Sequence, residues 1–349
     1  MKRTIPVLLL CVAYIIITNR LYAQTTTYNT AIVAFYNLEN FYDTINNTMV
    51  NDEDFLPDGK KAYTSAVYKE KVKHLASVIA QIGTDINPDG PAVLGCAEIE
   101  NDTVLNDLIH HPLLAERNYR FIHYDSRDPR GVDVALIYNP KYFKVESSRP
   151  LFVQLPRDSK TAFYTRDILW VTGYLNGERV DVLVNHWPSR YGGEKRSTPA
   201  RAAAAIVARK KINELLKQNP HDKIILMGDL NDDPVNVSIA EYLDAGGDMK
   251  NLHEGELYNP WVGLYKKGLG TLAYQDAWSL FDQIMLSQSW LDKKQTGFFF
   301  YQNHVFKKEF MIENMGRYKG YPLRTYDGDT FHNGYSDHFP TYIILLKKR

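Results

Sequence analysis

Ile224-Ile225-Leu226-Met227-Gly228-Asp229-Leu230-Asn231 is the stretch that decides the fold. Four consecutive apolar residues, closed by a glycine and an acid, read as a short strand buried on both faces. Residues two apart in an extended segment point to the same side, so Asp229 and Asn231 can offer oxygens to one centre. A related arrangement occurs at Ser336-Asp337-His338-Phe339-Pro340, directly before the apolar run Tyr342 to Leu346. In open α/β architectures, strand ends are where ligands and catalytic groups collect. Two such ends, carrying carboxylate, amide and imidazole, predict a divalent-cation site with a histidine beside it. Hard oxygen ligands of this kind suit magnesium or manganese. An Asx turn that merely closes a strand is the plain alternative for Asp229 to Asn231.

Four further strand ends carry matching groups. Glu98 follows Ala92-Val93-Leu94-Gly95-Cys96-Ala97; Glu100 shares its parity but also suits the start of a helix capped by Asn101. His186 lies where the strand Arg179 to Asn185 runs out, before Pro188, with Arg190, Arg196 and Arg201 following. An imidazole beside guanidinium groups suits a phosphoryl oxygen, which arginine binds bidentately. Asp282 opens Asp282-Gln283-Ile284-Met285 and is placed to support His338. Asn37 ends Ile32-Val33-Ala34-Phe35-Tyr36. Each position alone reads equally well as a turn or surface residue; six together ask for one chemistry. Arg130, Arg166 and Arg190 are further cations that could compensate a phosphate.

The rest of the chain bounds the class. Lys2 and Arg3, the apolar stretch Ile5 to Ile17 and the small residue Ala23 predict a secretory signal peptide over residues 1–23. A single domain then spans residues 24–349, exported to the periplasm or secreted. Removing Lys2, Arg3 and Arg20 leaves 38 basic residues against 41 acids, so no global basic field attracts nucleic acid. Only Cys96 remains of the two cysteines, which excludes an intramolecular disulfide. Helices are expected over 65–82, 101–110, 198–217 and near 236–244. Strands are expected at 31–36, 92–97, 119–123, 132–138, 169–175, 179–185, 223–228, 281–287 and 341–347. The polar segment 43–64 reads as a long loop without the spacing of a calcium-binding EF-hand.

In order and spacing these pieces resemble the endonuclease/exonuclease/phosphatase superfamily, the DNase I-like group. The resemblance runs from about Ala31 to Leu346, and Phe35 to Asp43 looks like an exported bacterial subgroup. It implies an α/β fold, a four-layer α/β/β/α sandwich of two facing, mostly antiparallel sheets. It also implies the roles. Asn37 and Glu98, with Asp337, hold Mg2+ or Mn2+. Asp229 prepares the attacking water. Asn231 holds phosphate or metal, His186 and His338 contact the scissile phosphate, and Asp282 orients His338. Asp133 is the acid expected to orient His186, and Arg130 and Arg190 are expected on the substrate. The expected function is an exported, metal-dependent phosphodiester hydrolase acting as a monomer, with nucleic acid as the leading substrate. A phosphodiesterase or phosphatase for a lipid or small phosphorylated molecule is the alternative. A binding protein that has lost catalysis is a further reading, opposed by the intact residue set.

Overall fold

Along strand β1 (Tyr28–Phe41), Ala31, Val33 and Phe35 face one hydrophobic cluster while Ile32, Ala34 and Tyr36 face another, and both rows are fully buried. A strand buried on both faces needs a layer on each side. The computed structural model describes residues 27–156 and 164–349. The signal peptide expected over residues 1–23 lies outside the described residues.

In chain order, β2 (Pro91–Ile99), β3 (Arg120–His123), β4 (Asp133–Tyr138), β5 (Phe143–Leu151), β6 (Ile168–Leu175), β7 (Glu178–His186) and β8 (Ile224–Asp229) follow. Then come the short β9 (Ala245–Gly246) and β10 (Leu257–Tyr258), and a hairpin of β11 (Leu272–Tyr274) and β12 (Ala277–Ser279). After β13 (Asp282–Leu286) and β14 (Phe299–Val305), a second small hairpin pairs β15 (Tyr326–Asp327) with β16 (Thr330–Phe331). The last strand is β17 (Thr341–Lys348). One sheet has the order β14-β17-β1-β2-β4-β3 and the other β5-β6-β7-β8-β13-β10-β9. Both are mixed: β1 runs parallel to β2 and β7 parallel to β8, while most other neighbours are antiparallel.

Val33 and Phe35 of the first sheet meet Val182, Val184, Ile225 and Met227 of the second in the central cluster. Each such side chain contributes roughly 1.5–3 kcal/mol on burial. Gly95 lets the sheets approach beside the site, since a Cβ there would meet Met227 Sδ at 2.5 Å. Helices α1 (Ser65–Ile79) and α2 (Asp102–Ile109) cover the outer face of the first sheet, and α3 (Glu194–Gln218) covers that of the second. Thr64 caps α1 by accepting the Val67 N–H, and Asn101 caps α2 by accepting those of Thr103 and Val104. The layers are therefore α/β/β/α.

Several elements differ from expectation. Helix α3 starts at Glu194, a turn before Pro199, because the Glu194 carboxylate is tied to Arg190 and Asn236. The expected helix near 236–244 is a five-residue π-type turn, Ser238–Tyr242, cut short as Ala245 enters the sheet beside Leu257. Strands β5 and β14 were not expected. Both are sheet edges, where half-exposed polar residues blur the apolar alternation. No helix among the described residues is long and apolar enough to cross a membrane.

Candidate active site

The parallel pairs β1/β2 and β7/β8 end on the same edge of the sandwich, where antiparallel β13 and β17 begin. Register does the assembly. Asp282 pairs directly with Asp229, and His186 pairs with Asp229 from the other side. Glu98 occupies the irregularity between Ala97 and Ile99 in the β2/β4 ladder, with φ of +61°. This left-handed conformation costs a non-glycine residue on the order of 1 kcal/mol or more. It turns the carboxylate so that Oε2 accepts the Asn40 N–H at 2.8 Å. Asn231, at φ +50°, donates its N–H to Asp229 Oδ1 at 3.0 Å, so the Asx turn is present. The same turn leaves Asp229 Oδ2 facing the site.

Asp229 Oδ2 is the hub. It accepts Asn37 Nδ2 at 2.9 Å, a bond between the two sheets. It lies 3.7 Å from His186 Nε2 and 3.8 Å from His338 Nε2. His186 Nε2 is also 3.8 Å from Glu98 Oε1. His338 is oriented from behind, its Nδ1 lying 2.7 Å from Asp282 Oδ2. Ser336 Oγ donates to the Asn37 carbonyl at 2.7 Å and accepts the His338 N–H at 3.1 Å, fixing the start of β17 against β1. Asn231 Nδ2 donates to the Trp187 carbonyl at 2.9 Å.

Electrostatics separates the two histidines. Burial alone would lower the pKa of His338, but the carboxylates of Asp282 and Asp229 outweigh it and hold the group well above the ordinary imidazole value. His186 goes the other way: burial, reinforced by the charges of Arg166 and Arg130, keeps it well below that value. Burial raises Asp229 to about 6, with His338 opposing and Asp282 adding to the shift. Titratable groups pushed apart in this way are the signature of acid and base assignments.

The remaining expected residues divide. Arg130 Nε lies 3.6 Å from Asp128 Oδ1, and the charges of Glu98 and Asp128 hold its pKa up against burial. Arg190 does not serve as a free phosphate ligand. Its Nε donates to the Asn231 carbonyl, its Nη1 to Glu194, and its Nη2 to Asp232, Asp233 and Asn236. With every nitrogen engaged by the protein, it clamps the loop after β8. Asp133 does not orient His186. It accepts the Ser126 N–H and lies 3.5 Å from His123 Nε2, while His186 Nδ1 is buried with no hydrogen-bond partner among the described residues. Asp337 supports the histidine side, with Oδ1 3.9 Å from His338 Nε2 and Oδ2 bonded to Arg324 at 2.9 Å. Cys96 is a fully buried core residue.

Two contributors had escaped the sequence reading. Asp128 holds Arg166 at 2.8 Å, leaving that guanidinium close enough to depress His186. Glu39 shares the parity of Asn37, which was its one signal. Burial and Asp337 raise it to about 7, and it accepts the Thr325 N–H beside Lys71.

A divalent cation fits this donor set. Glu98 Oε2 is tethered by Asn40, while Oε1 is directed toward His186 and takes part in no hydrogen bond among the described residues. Asn37 Oδ1, which accepts the Glu39 N–H, and Asp229, bonded to Asn37 Nδ2, are further hard oxygens of the site. Ligand atoms of Asp229, Asp282 and His338 also lie within 4.8 Å of one another. Asp282 already holds His338 Nδ1, however, which leaves Glu98 as the better cation ligand.

A family model for the endonuclease/exonuclease/phosphatase family matches residues 32–347. No curated protein matches. Among solved structures, the mannosyl-6-phosphatase of Bacteroides thetaiotaomicron superposes with a TM-score of 0.55 at 18% identity, over 90% of this chain and 99% of that one. TDP2 of D. rerio complexed with single-strand DNA product gives 0.54 at 14%, over 91% and 99%. An endonuclease/exonuclease/phosphatase from Bacteroides vulgatus gives 0.51 at 12%, over 92% and 100%. These likenesses speak to the fold, and the family match to the chemistry: the chain belongs to the endonuclease/exonuclease/phosphatase family and is a metal-dependent phosphoesterase.

Proposed function

We propose that the chain is an exported, magnesium-dependent phosphoesterase that acts on a small phosphorylated molecule, with Asp229 and His338 as its working base and acid. The observation that carries this reading is the gap around Asp229 Oδ2. The two imidazole Nε2 atoms stand 3.7 and 3.8 Å away, too far for direct hydrogen bonds, so that all three atoms can converge on one oxygen set in front of them. A water or phosphoryl oxygen in that gap meets a carboxylate with a pKa of about 6, one charged imidazole and one neutral imidazole.

The residues then act as follows. Asp229 accepts a proton from the attacking water. His338, held by Asp282, donates a proton to the departing oxygen. His186 positions a phosphoryl oxygen, and the charge of Arg130 compensates the phosphate. Glu98 and Asn37 would hold the cation, which when bound neutralises phosphate charge and polarises the phosphorus. Export rests on the leader reading of residues 1–23.

The preference for a small substrate rests on charge. A polyanion is gripped by several cations along its backbone. With Arg190 and Arg166 bound to protein acceptors, Arg130 is the remaining guanidinium of the three singled out from sequence. Nuclease action is the second reading, favoured by the DNA product in the D. rerio neighbour. The test is phosphate release from a phosphomonoester panel alongside nicking of supercoiled plasmid. Each assay is run with magnesium, with EDTA and with His338→Ala. Release without nicking supports the first reading and nicking supports the second; no metal-dependent hydrolysis by the folded protein sinks both.

A further inference from the structure

Beside His338 the surface opens into a cleft of about 360 Å³, within the usual size range of small-molecule sites. Three segments wall it. One is the β11–β12 hairpin, whose turn residues Gln275 and Asp276 both take positive φ and which leads directly into Asp282. The second is the loop carrying Glu313 to Pro322, and the third is the stretch around the β15–β16 hairpin that leads into His338. The three segments that wall the cleft thus lie on the chain that leads into Asp282 and into His338.

The walls are fastened to one another. Tyr321 Oη donates to Asp276 Oδ1 and accepts the Asp276 N–H, both at 2.7 Å, tying loop to hairpin. His332 Nε2 lies 2.6 Å from Glu313 Oε2, tying the second wall to the third. The floor toward the reacting atoms is Asp337, paired with Arg324 and 3.9 Å from His338 Nε2. A cleft cross-linked in this way is formed before a ligand arrives, which lowers the cost of binding.

Its chemistry is mixed in a particular way. Tyr274 is 73% exposed, and Tyr318, 42% exposed, packs at a tilt against Tyr321 with ring centroids 5.7 Å apart. Four carboxylates, Asp276, Glu313, Asp327 and Asp337, face two guanidiniums, Arg317 and Arg324. The net negative lining opposes flanking phosphates and so disfavours a nucleic-acid strand or a polyphosphate. It also disfavours an acyl chain, since the carboxylates would be stripped of water without compensation. Exposed aromatic faces together with hydrogen-bond acceptors suit a ring whose faces are C–H and whose edges are hydroxyl.

The geometry points to this cleft as the seat of the leaving group: an uncharged polyhydroxyl unit about the size of one hexose ring, presented as its phosphate ester. The inference rests on the phosphoesterase reading above. In the step it serves, the water oxygen bonds to phosphorus and the bond from phosphorus to the sugar oxygen breaks. The departing oxygen takes a proton from His338, Asp229 keeps the proton of the water, and the products are the free polyol and inorganic phosphate.

The test compares kcat/KM for a hexose 6-phosphate and for glycerol 3-phosphate, two alkyl phosphates that differ in how far the alcohol reaches. The full chain is assayed with magnesium, as wild type and as Tyr274→Ala, Tyr318→Ala and, for an exposed tyrosine outside the cleft, Tyr301→Ala. The expected result is a wild-type preference for the hexose ester that falls about tenfold in each cleft variant, mainly through KM, and is kept by Tyr301→Ala. Equal use of both esters by the wild type would overturn the assignment, as would an unchanged preference in both cleft variants or faster turnover of an oligonucleotide. Hydrolysis of glycerol 3-phosphate alone would leave the phosphoesterase reading standing while removing this one.

Discussion

The two ends of the sandwich bury charge in opposite ways. At the far end, Glu178 takes Lys223 at 2.6 Å, Lys347 at 2.7 Å and the Phe298 N–H. Arg179 there bridges Asp181 at 2.9 Å and Asp222 at 3.0 Å. At the site end, Asp229, Asp282 and His338 crowd together, Glu98 and Asn231 sit at positive φ, and His186 Nδ1 and Asp282 Oδ1 are buried without hydrogen-bond partners among the described residues. The same strands, β7, β8, β13 and β17, run from one end to the other. Their far ends set every one of these acids against a lysine or an arginine. Their near ends hold carboxylates that wait for a cation and a phosphate. The lesson is that mismatch is tolerated where a ligand completes it, supported by a matched end that keeps the sheets in register.

The comparison can be broken first at the site. Asp229→Ala or His338→Ala should lower kcat by on the order of a thousandfold while circular dichroism and melting stay native-like; near-normal turnover by either would end the assignment. EDTA should abolish turnover and magnesium restore it, with Glu98→Gln raising the metal concentration needed for half-maximal rate. An unchanged requirement would move the cation away from Glu98. Asp282→Asn should cost about a hundredfold in kcat. It should also move the alkaline limb of the pH–rate profile downward, because the carboxylate that holds the His338 proton is gone.

The far end should answer in stability. Glu178→Ala leaves Lys223 and Lys347 without their carboxylate and should cost about 2 kcal/mol in denaturant unfolding, with kcat retained. Asp222 gives the smallest effect. Burial and Asp181 raise its pKa from 3.8 to about 6, so between those values the folded chain holds a proton that the unfolded chain has released. Stability should therefore fall as pH rises through that window, and Asp222→Asn should flatten the slope. An unchanged slope would mean that Arg179 already neutralises both acids.

Much of this was legible because apolar runs ending in acids are local signals. Ile224 to Asn231 announces its strand and its turn together, and the α/β/β/α layering is the one implied by the family resemblance that those motifs carry. What stayed hidden was pairing across the fold. Nothing near Arg190 in sequence announces Asp232 and Asp233 some forty residues on. Nothing in Val132-Asp133-Val134 reveals that Asp133 turns toward His123 rather than His186. Edge strands β5 and β14 were missed because their exposed faces obey solubility rather than packing.

The insertion of β17 between β1 and β14 has a consequence in time. Tyr28 pairs with Lys348, and the Ser336 bond to Asn37 joins residues about three hundred positions apart. Contacts so distant in sequence form slowly, because the intervening chain must be gathered first. In a refolding experiment the helical signal should therefore return before catalysis does. The protein's own turnover becomes a clock for the closing of its first sheet.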